Sequence, residues 1–349
     1  MKINLVNYLV CPVCRKNVTL KISNKTNDEI LEGIITCSKN HKFAITDGIP
    51  RFVVDTSKDF VVTEDAFSSK WRRFNKQYHN KTWFDSEKKW FLDRYGWKTI
   101  SKFNGFLNSK NTILDAGTGI GNSAKLLSAN PNSQVFAIDA SESVDFAYKK
   151  FGYIKNIHFL QADLRQLPFR RNYFDYINSD QVLHHTKNTE TSFKYLTKFL
   201  TKGGHFSAYV YAKKAPIREF ADNFIRATTT KMSEKECIEF SKDITHLGRS
   251  LANIKKKIVI QRDIPILKIK KGTYDLQRFV HWFFMKCYWA EDGDFDRSVG
   301  NNFDWYFPKL AFRHTPEEVK QWCKDSKLKI VNFQQIFSGI SVLGQKHNN

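Results

Sequence analysis

The sequence predicts an α/β chain built on an open, mostly parallel sheet, with a small cysteine-rich domain ahead of it and a helical insertion near its end. Three observations predict this. Asn111 to Gly121 reads as a strand, a glycine turn and a helix start. Further apolar runs each stop at a polar or acidic cluster, and two close pairs of metal-type ligands fall between Cys11 and His41.

A chain of 349 residues can bury a sizeable core and hold two or three domains. With 41% hydrophobic and 15% aromatic residues, general disorder is excluded. The net charge of +21 and pI near 9.6 point to an anionic partner: nucleic acid, an acidic membrane surface, or a phosphorylated or acidic small molecule. The bland alternative is that abundant Lys, Asn, Ile and Phe reflect genome composition. The N-terminus MKINLVNYLVCPVC lacks a long apolar core and a small-residue cleavage site. No apolar run approaches the roughly 20 residues that cross a bilayer, so a soluble, cytoplasmic protein is expected.

Residues 1–55 form the expected first domain. Cys11 and Cys14 make a C-P-x-C knuckle, and His41 follows Cys37 at a spacing of four. Four such ligands can close a tetrahedron around Zn2+ with no open position, a structural role. A disulfide would leave His41 unexplained and would need an oxidising compartment. Val18–Ile22 and Ile30–Ile35 read as strands between the knuckles, while Cys237, Cys287 and Cys323 are scattered and read as ordinary apolar residues.

The sheet is expected over 109–212. Ile113-Leu114 ends at Asp115, glycines follow at 117, 119 and 121, and a helix is expected from Asn122 to Ser128. Glycines suit a turn whose backbone takes unusual dihedrals and lets a ligand lie on the main chain. Gln134–Ile138 stops at Asp139, where a carboxylate can accept from two ribose hydroxyls. Ile157–Gln161 stops at Ala162-Asp163-Leu164, where a carboxylate can receive an adenine amino group while Leu164 packs on the ring. Phe174–Asn178 opens onto Ser179-Asp180-Gln181, and a fifth strand runs His205–Tyr211. Ligands in such sheets sit outside the carboxyl ends of the strands.

Asp115-Ala-Gly-Thr-Gly-Ile-Gly121, Ile138-Asp139, Gln161-Ala-Asp163-Leu164 with Leu167-Pro-Phe169, and Phe174-Asp175 through Val182-Leu-His184-His185-Thr186 together resemble class I S-adenosylmethionine-dependent methyltransferases of the type 11 kind. The resemblance covers roughly 111–212 and implies a Rossmann-like sheet that binds S-adenosyl-L-methionine. It implies that Asp115, Gly117 and Gly119 hold the methionine part, Asp139 the ribose, and Asp163 with Leu164 the adenine. Ala116, Thr118, Ala140, Ser179 and Gln181 complete the implied cofactor contacts. The nearest competitor is a nicotinamide dehydrogenase, whose fingerprint G-x-G-x-x-G places its third glycine one residue later. Cys37-x-x-x-His41-x-Phe43 with Asp47-Gly-Ile-Pro50 resembles the zinc-ribbon protein that activates tRNA- and ribosome-modifying methyltransferases. It is also similar to the zinc domain of bacterial large-subunit rRNA guanine methyltransferases, although the loop between knuckles is longer here.

Residues 56–108 read as an aromatic helical linker. Its aromatics suit packing, or a lid across the cofactor mouth touching through Trp71 and Phe74; Lys70, Arg72 and Arg73 among them would suit a phosphate. Residues 301–349 are expected to finish the sheet with antiparallel strands Leu328–Ile336 and Ile340–Gln345, after a helix opened by the capping box Thr315-Pro-Glu-Glu318. A plain methyltransferase core does not need residues 213–300, which are assigned to substrate recognition. Lys255–Lys257, the run 264–271 and the aromatic run 281–289 could touch lipid at a membrane surface, line an apolar pocket or stack on bases. The blandest account is a helical subdomain with its own small core. Asp292–Asp296 resembles part of a calcium loop but lacks its terminal Glu.

Methyl transfer needs in-line positioning and, for a weakly acidic acceptor, a base. His184 and His185 stand after the fourth strand as candidates, a packed histidine being the alternative. That stretch lacks the Asp/Asn-Pro-Pro-aromatic signature of amino methyltransferases acting on bases, and any Cys for 5-methylcytosine chemistry. A small-molecule acceptor is the first expectation. An RNA acceptor, or a non-catalytic cofactor-binding partner of another methyltransferase, are the alternatives; oligomeric state is not legible.

Overall fold

The computed structural model describes residues 1–27, 29–53, 58–78 and 81–348. The chain opens with a 3-10 turn, Ile3–Tyr8, and an antiparallel sheet of β1 (Val18–Thr26), β2 (Glu29–Cys37), β3 (Lys42–Thr46) and β4 (Ile49–Pro50), paired in that order. Three helices follow: α1 (Lys58–Tyr78), α2 (Lys81–Arg94) and α3 (Ile100–Leu107). The boundary expected at residue 55 lies outside the described residues.

The main sheet then alternates with helices: β5 (Thr112–Ala116), α4 (Asn122–Leu127), β6 (Gln134–Asp139), α5 (Ser143–Phe151), β7 (Ile157–Gln161), β8 (Phe174–Asp180), α6 (Thr189–Thr197) and β9 (Leu200–Tyr211). After β9 come α7 (Pro216–Thr229), α8 (Glu234–Asn253), the hairpin β10 (Lys257–Ile260) and β11 (Gly272–Asp275), α9 (Leu276–Phe283) and α10 (Phe295–Tyr306). The chain returns through α11 (Pro316–Asp325), β12 (Leu328–Gln335) and β13 (Gly339–Lys346). The expected capping box at Thr315 is formed, with Glu318 closing it.

Strand order in the main sheet is β12-β13-β9-β8-β5-β6-β7. β5 pairs in parallel with both β6 and β8, so the order reverses at β5, and β13 is antiparallel to both neighbours. A crevice opens at such a switch point, at the carboxyl ends of the strands. The fold is thus the expected α/β, Rossmann-like open sheet with an N-terminal cysteine-rich ribbon and a helical insertion.

Because side chains alternate along a strand, each strand feeds two cores. Ile113, Val135 and Phe159 face α3, α4 and α5, whereas Leu114, Phe136 and Leu160 face the opposite side with α6 and α11. Among the described residues no helix joins β7 to β8, and the ribbon fills the space such a helix would cover. Phe43, Phe52 and Leu9 share one core with Phe136 and Phe169, and the Tyr8 ring meets the Phe136 ring edge-on at 5.2 Å. Leu9 bridges to Phe169, the Phe52 N–H donates to Gln161 O at 2.7 Å, and Lys2 Nζ donates to Ile154 O at 2.8 Å. The ribbon is therefore part of the sheet's packing and not a bead on a string.

The insertion has the small core expected of it: Cys237 and Ile238 of α8 pack with Phe303, Trp305 and Tyr306 of α10. The boundary drawn at 300 falls inside α10, whose Asn302 donates to Thr245 of α8 at 2.9 Å, so the insertion extends through Tyr306. Among the described residues no helix is long and apolar enough to cross a membrane.

Candidate active site

The strand tips, α1, α2 and the insertion enclose one cavity of about 520 Å³, within the range of small-ligand sites. Its outer half is built by the glycine turn. At Gly117 φ is +92°, and a Cβ there would lie 2.3 Å from a methyl of Val182, so only glycine fits. The N–H groups of Gly117 and Thr118 donate to Ile138 O at 2.9 and 2.8 Å. Over Gly119 the nearest side chain is Trp71, 3.7 Å from where a Cβ would stand, so the bare turn faces that indole across the cavity. Phe74 packs behind it with Ile120 and Val299. Lys70, Arg72 and Arg73 are each paired with a carboxylate: Asp304, Glu142 and Glu234.

Asp139 braces this turn from the next strand. Its Oδ2 accepts from Gly119 N at 2.8 Å, and its Oδ1 accepts from Ser141 N and Oγ at 2.9 and 2.7 Å. Asp139, Ala140, Asp163, Leu164 and Gln181 all line the cavity. Asp163 is spoken for, since Arg165 donates to both its oxygens, Nη2 reaching Oδ2 at 2.6 Å and Nε reaching Oδ1 at 2.9 Å. Asp115, Ala116 and Ser179 stand one layer behind the wall. The Asp115 carboxyl accepts from Ser123 Oγ at 2.6 Å and Asn178 Nδ2 at 2.8 Å, with burial raising its pKa, and Ser179 Oγ donates to Ala116 O at 3.0 Å. Sequence position marks a strand tip without saying which way its side chain is drawn. These three tie β5 to β8 and α4.

The inner half is reached past Asp180, which accepts from Tyr95 Oη at 2.7 Å and pairs with Arg94. Arg94 is 2% exposed and its guanidinium lies 3.7 Å over the Trp90 ring. His184 does not reach the cavity. It stacks on Tyr211 at 3.7 Å, neither ring nitrogen has a hydrogen-bond partner among the described residues, and burial pushes its pKa well down. His185 does line the cavity. Its Nδ1 donates to Leu310 O at 2.7 Å, leaving Nε2 as the acceptor nitrogen, and burial lowers its pKa to about 4. Beyond it stand Tyr211, Trp282, Trp305 and the cations Lys214, Arg218 and Lys286.

The profile of a methyltransferase domain matches residues 114–208. Those residues are a methyltransferase domain. Two curated relatives overlap it: an uncharacterised protein of Synechococcus sp., 33% identical over 117 residues, and a ubiquinone/menaquinone biosynthesis C-methyltransferase of Pseudomonas fluorescens, 27% identical over 123 residues. The matched stretches are 32% and 34% of this chain, and the chain spans 28% and 48% of the length of those relatives. Among solved structures, magnesium protoporphyrin IX methyltransferase of Synechocystis with bound S-adenosylmethionine is similar at 13% identity and a TM-score of 0.43, over 84% of this chain and 100% of that one.

Several residues facing this methyltransferase domain carried no signal in the sequence. Glu64 of α1 lines the outer half, its pKa held well above the ordinary range by burial and by Asp139 and Asp163. Glu87 of α2 is pushed up to about 7, mainly by burial, with Arg94 opposing. Both sit on helices whose aromatic spacing pointed to packing or to a lid, and neither acid belongs to a motif.

On the far side of the sheet the four expected metal ligands do come together. One donor atom from each of Cys11, Cys14, Cys37 and His41 falls within 4.8 Å of the others. Cys14 and Cys37 sulfurs are 3.5 Å apart, and His41 Nδ1 is 3.4 and 3.3 Å from those of Cys11 and Cys37. Left-handed residues Arg15 and Asn40 turn the two knuckles. These spacings suit the edges of a tetrahedron with metal–sulfur bonds of about 2.3 Å. Cys237, Cys287 and Cys323 are buried and free, as expected of apolar residues.

Proposed function

We propose that the chain transfers a methyl group from S-adenosylmethionine to a small-molecule acceptor held in the inner half of the cavity, and that Cys11, Cys14, Cys37 and His41 hold a structural Zn2+. One observation carries the first reading: a single cavity is lined both by Gly117–Gly119 and by the aromatic chamber of the insertion. The main chain of Gly117–Gly119 would receive the methionine part. Asp139 would receive the ribose, since a carboxylate has about four acceptor positions and its turn contacts use three. Leu164 would pack on the adenine, with Asp163 acting through Arg165 and not as a direct acceptor. The acidic Glu64 and Asp139 suit a cationic ligand. Bound S-adenosylmethionine supplies an electrophilic methyl on a sulfonium. His185 Nε2 would take the acceptor's proton; a base this weak suffices because that proton turns strongly acidic as the methyl arrives.

Calorimetry with adenosylhomocysteine tests the reading. Binding is expected, with a loss of about 100-fold in Asp139→Ala, which removes charge-assisted bonds worth ~1.5–3 kcal/mol. Uptake of a nicotinamide dinucleotide in place of the nucleoside would overturn it. A comparison of methylated metabolites and RNA nucleosides in wild-type and deletion cells separates the acceptors. Loss of an rRNA or tRNA nucleoside would replace the small molecule with RNA, and cofactor binding without any lost methyl product would favour the non-catalytic partner.

A further inference from the structure

We propose that the acceptor carries an anionic group, a carboxylate or a phosphate, on a flat apolar body, and that Lys286 is its counter-ion in the inner half of the cavity. This rests on the methyl-transfer reading for the word acceptor, while the anion site itself rests on charge and burial alone.

The Trp305 ring is ringed by cations: Lys286 at 5.1 Å, Arg218 at 5.4 Å, Lys214 at 5.5 Å and Arg313 at 5.8 Å from its centroid. Arg218 is neutralised by Asp222 at 2.5 Å and Arg313 by Glu219 at 2.9 Å. Lys214 donates to the carbonyls of Phe337 and Ser338 at 2.8 and 2.6 Å. Asp304 is paired with Lys70 at 3.0 Å. Lys286 is left over. Its ammonium has no hydrogen-bond or ion-pair partner among the described residues, yet the side chain is only 8% exposed and lines the cavity. A buried ammonium without a partner is costly, and a ligand anion in the same cavity offsets that cost. The cavity also holds Glu64 and Glu87, which have no ion-pair partner among the described residues, whereas the charges that act most strongly on Lys286 are Asp304, Arg218, Asp222 and Lys70.

The rest of the chamber states the shape of the body attached to the anion. Tyr211, Trp282 and Tyr288 line it with Trp305, and Trp282 is locked in place by stacking on Phe337 at 5.4 Å and 20°. Flat faces held this way receive a flat apolar group. Burial lowers the Lys286 pKa to about 7, with Asp304 and Asp222 pulling it up and Arg218 and Lys70 pushing it further down. The Lys286 ammonium is therefore part-charged near neutrality, and an arriving anion draws a proton onto it.

Naphthoate, naphthyl phosphate and the neutral naphthylmethanol are suitable calorimetric probes, each with and without saturating adenosylhomocysteine. At about pH 7 the wild-type protein is expected to bind an anionic probe on the order of 10-fold or more tighter than the alcohol, the two anions telling carboxylate from phosphate. Lys286→Met should abolish that preference with adenosylhomocysteine affinity unchanged, and Lys286→Arg should keep it. At about pH 8, anion binding should take up a proton in the wild type and not in Lys286→Met. Equal binding of the alcohol, a preference that survives Lys286→Met, or no proton uptake by the wild type would overturn the proposal; the last also decides it should Lys286→Met not fold. An anion preference without adenosylhomocysteine binding would leave this site standing and sink the methyltransferase reading. Nucleoside binding without the preference would do the reverse.

Discussion

The two halves of the cavity are built in different ways. Apart from the Glu64 and Trp71 face of α1, the outer half comes from one run of sequence, the tips of β5, β6, β7 and β8, where backbone turns and short-range carboxylate contacts do the work. Asp139 reaches Gly119 across adjacent strands, and Asp163 is tied to Arg165 two residues on. The inner half is assembled from α1, α2, β9 and the insertion. Its contacts join Arg94 to Asp180, Lys70 to Asp304, and Arg218 to the carbonyl of His281. A half made from strand tips can serve any chain that takes the same nucleoside, whereas a half made from distant helices can vary with the acceptor while the sheet stays as it is.

The largest effect should come from removing the metal, which asks whether the outer half depends on the ribbon. Structural zinc supplies roughly 10 kcal/mol or more to small metal domains, and this ribbon shares its core with β6 and β7. Cys14→Ser, or a strong chelator, should lower bound metal from about one ion per chain to none and cut the melting temperature sharply. It should also weaken adenosylhomocysteine binding. Unchanged metal content in Cys14→Ser rejects the cluster.

Next come two substitutions that set the halves against each other. Asp180→Asn leaves the Arg94 guanidinium buried without its counter-charge and should cost about 3–5 kcal/mol of stability in denaturant unfolding. Gly117→Ala forces a Cβ onto Val182 and strains a left-handed backbone, costing ~1–3 kcal/mol for the backbone alone. Its signature should be lost nucleoside binding with naphthoate binding retained. If Gly117→Ala damages both ligands equally, the halves are not separable.

A smaller effect sharpens the same contrast by pH. His185 has a folded pKa of about 4 against an ordinary value of 6.5, so the unfolded chain binds the proton more readily. The associated stability is whole above 6.5 and is lost as pH falls toward 4, about 3 kcal/mol in all. Urea unfolding at neutral and acid pH should show this loss, and His185→Gln should remove its own share while leaving those of His158 and His205, whose pKa values burial also lowers. Methyl transfer by the wild type should show no acid limb near 6.5.

Legibility in the sequence followed the same division. The strand tips could be read because a glycine turn and an acid at a strand end are local devices, and the capping box at Thr315 and the two Cys/His knuckles are equally local. The sequence was silent where direction mattered. Asp115, Ala116 and Ser179 stand at the expected tips, behind the cavity wall, and Ser123 and Asn178 draw the Asp115 carboxylate inward. His184 and His185 are adjacent, yet one stacks on Tyr211 and only the other meets the cavity.

By itself the sequence determined the strand order of events along the chain, the turn that only glycine can make, and the pair of knuckles, since each depends on residues within a few positions of one another. Tertiary structure alone decided that the ribbon stands in for a helix against β6 and β7, and that Lys286 ends buried beside three other cations while Asp304 and Asp222 are paired with Lys70 and Arg218. Charge balance and burial are sums over neighbours in space. In this insertion those neighbours lie far apart in the sequence, where no spacing rule connects them.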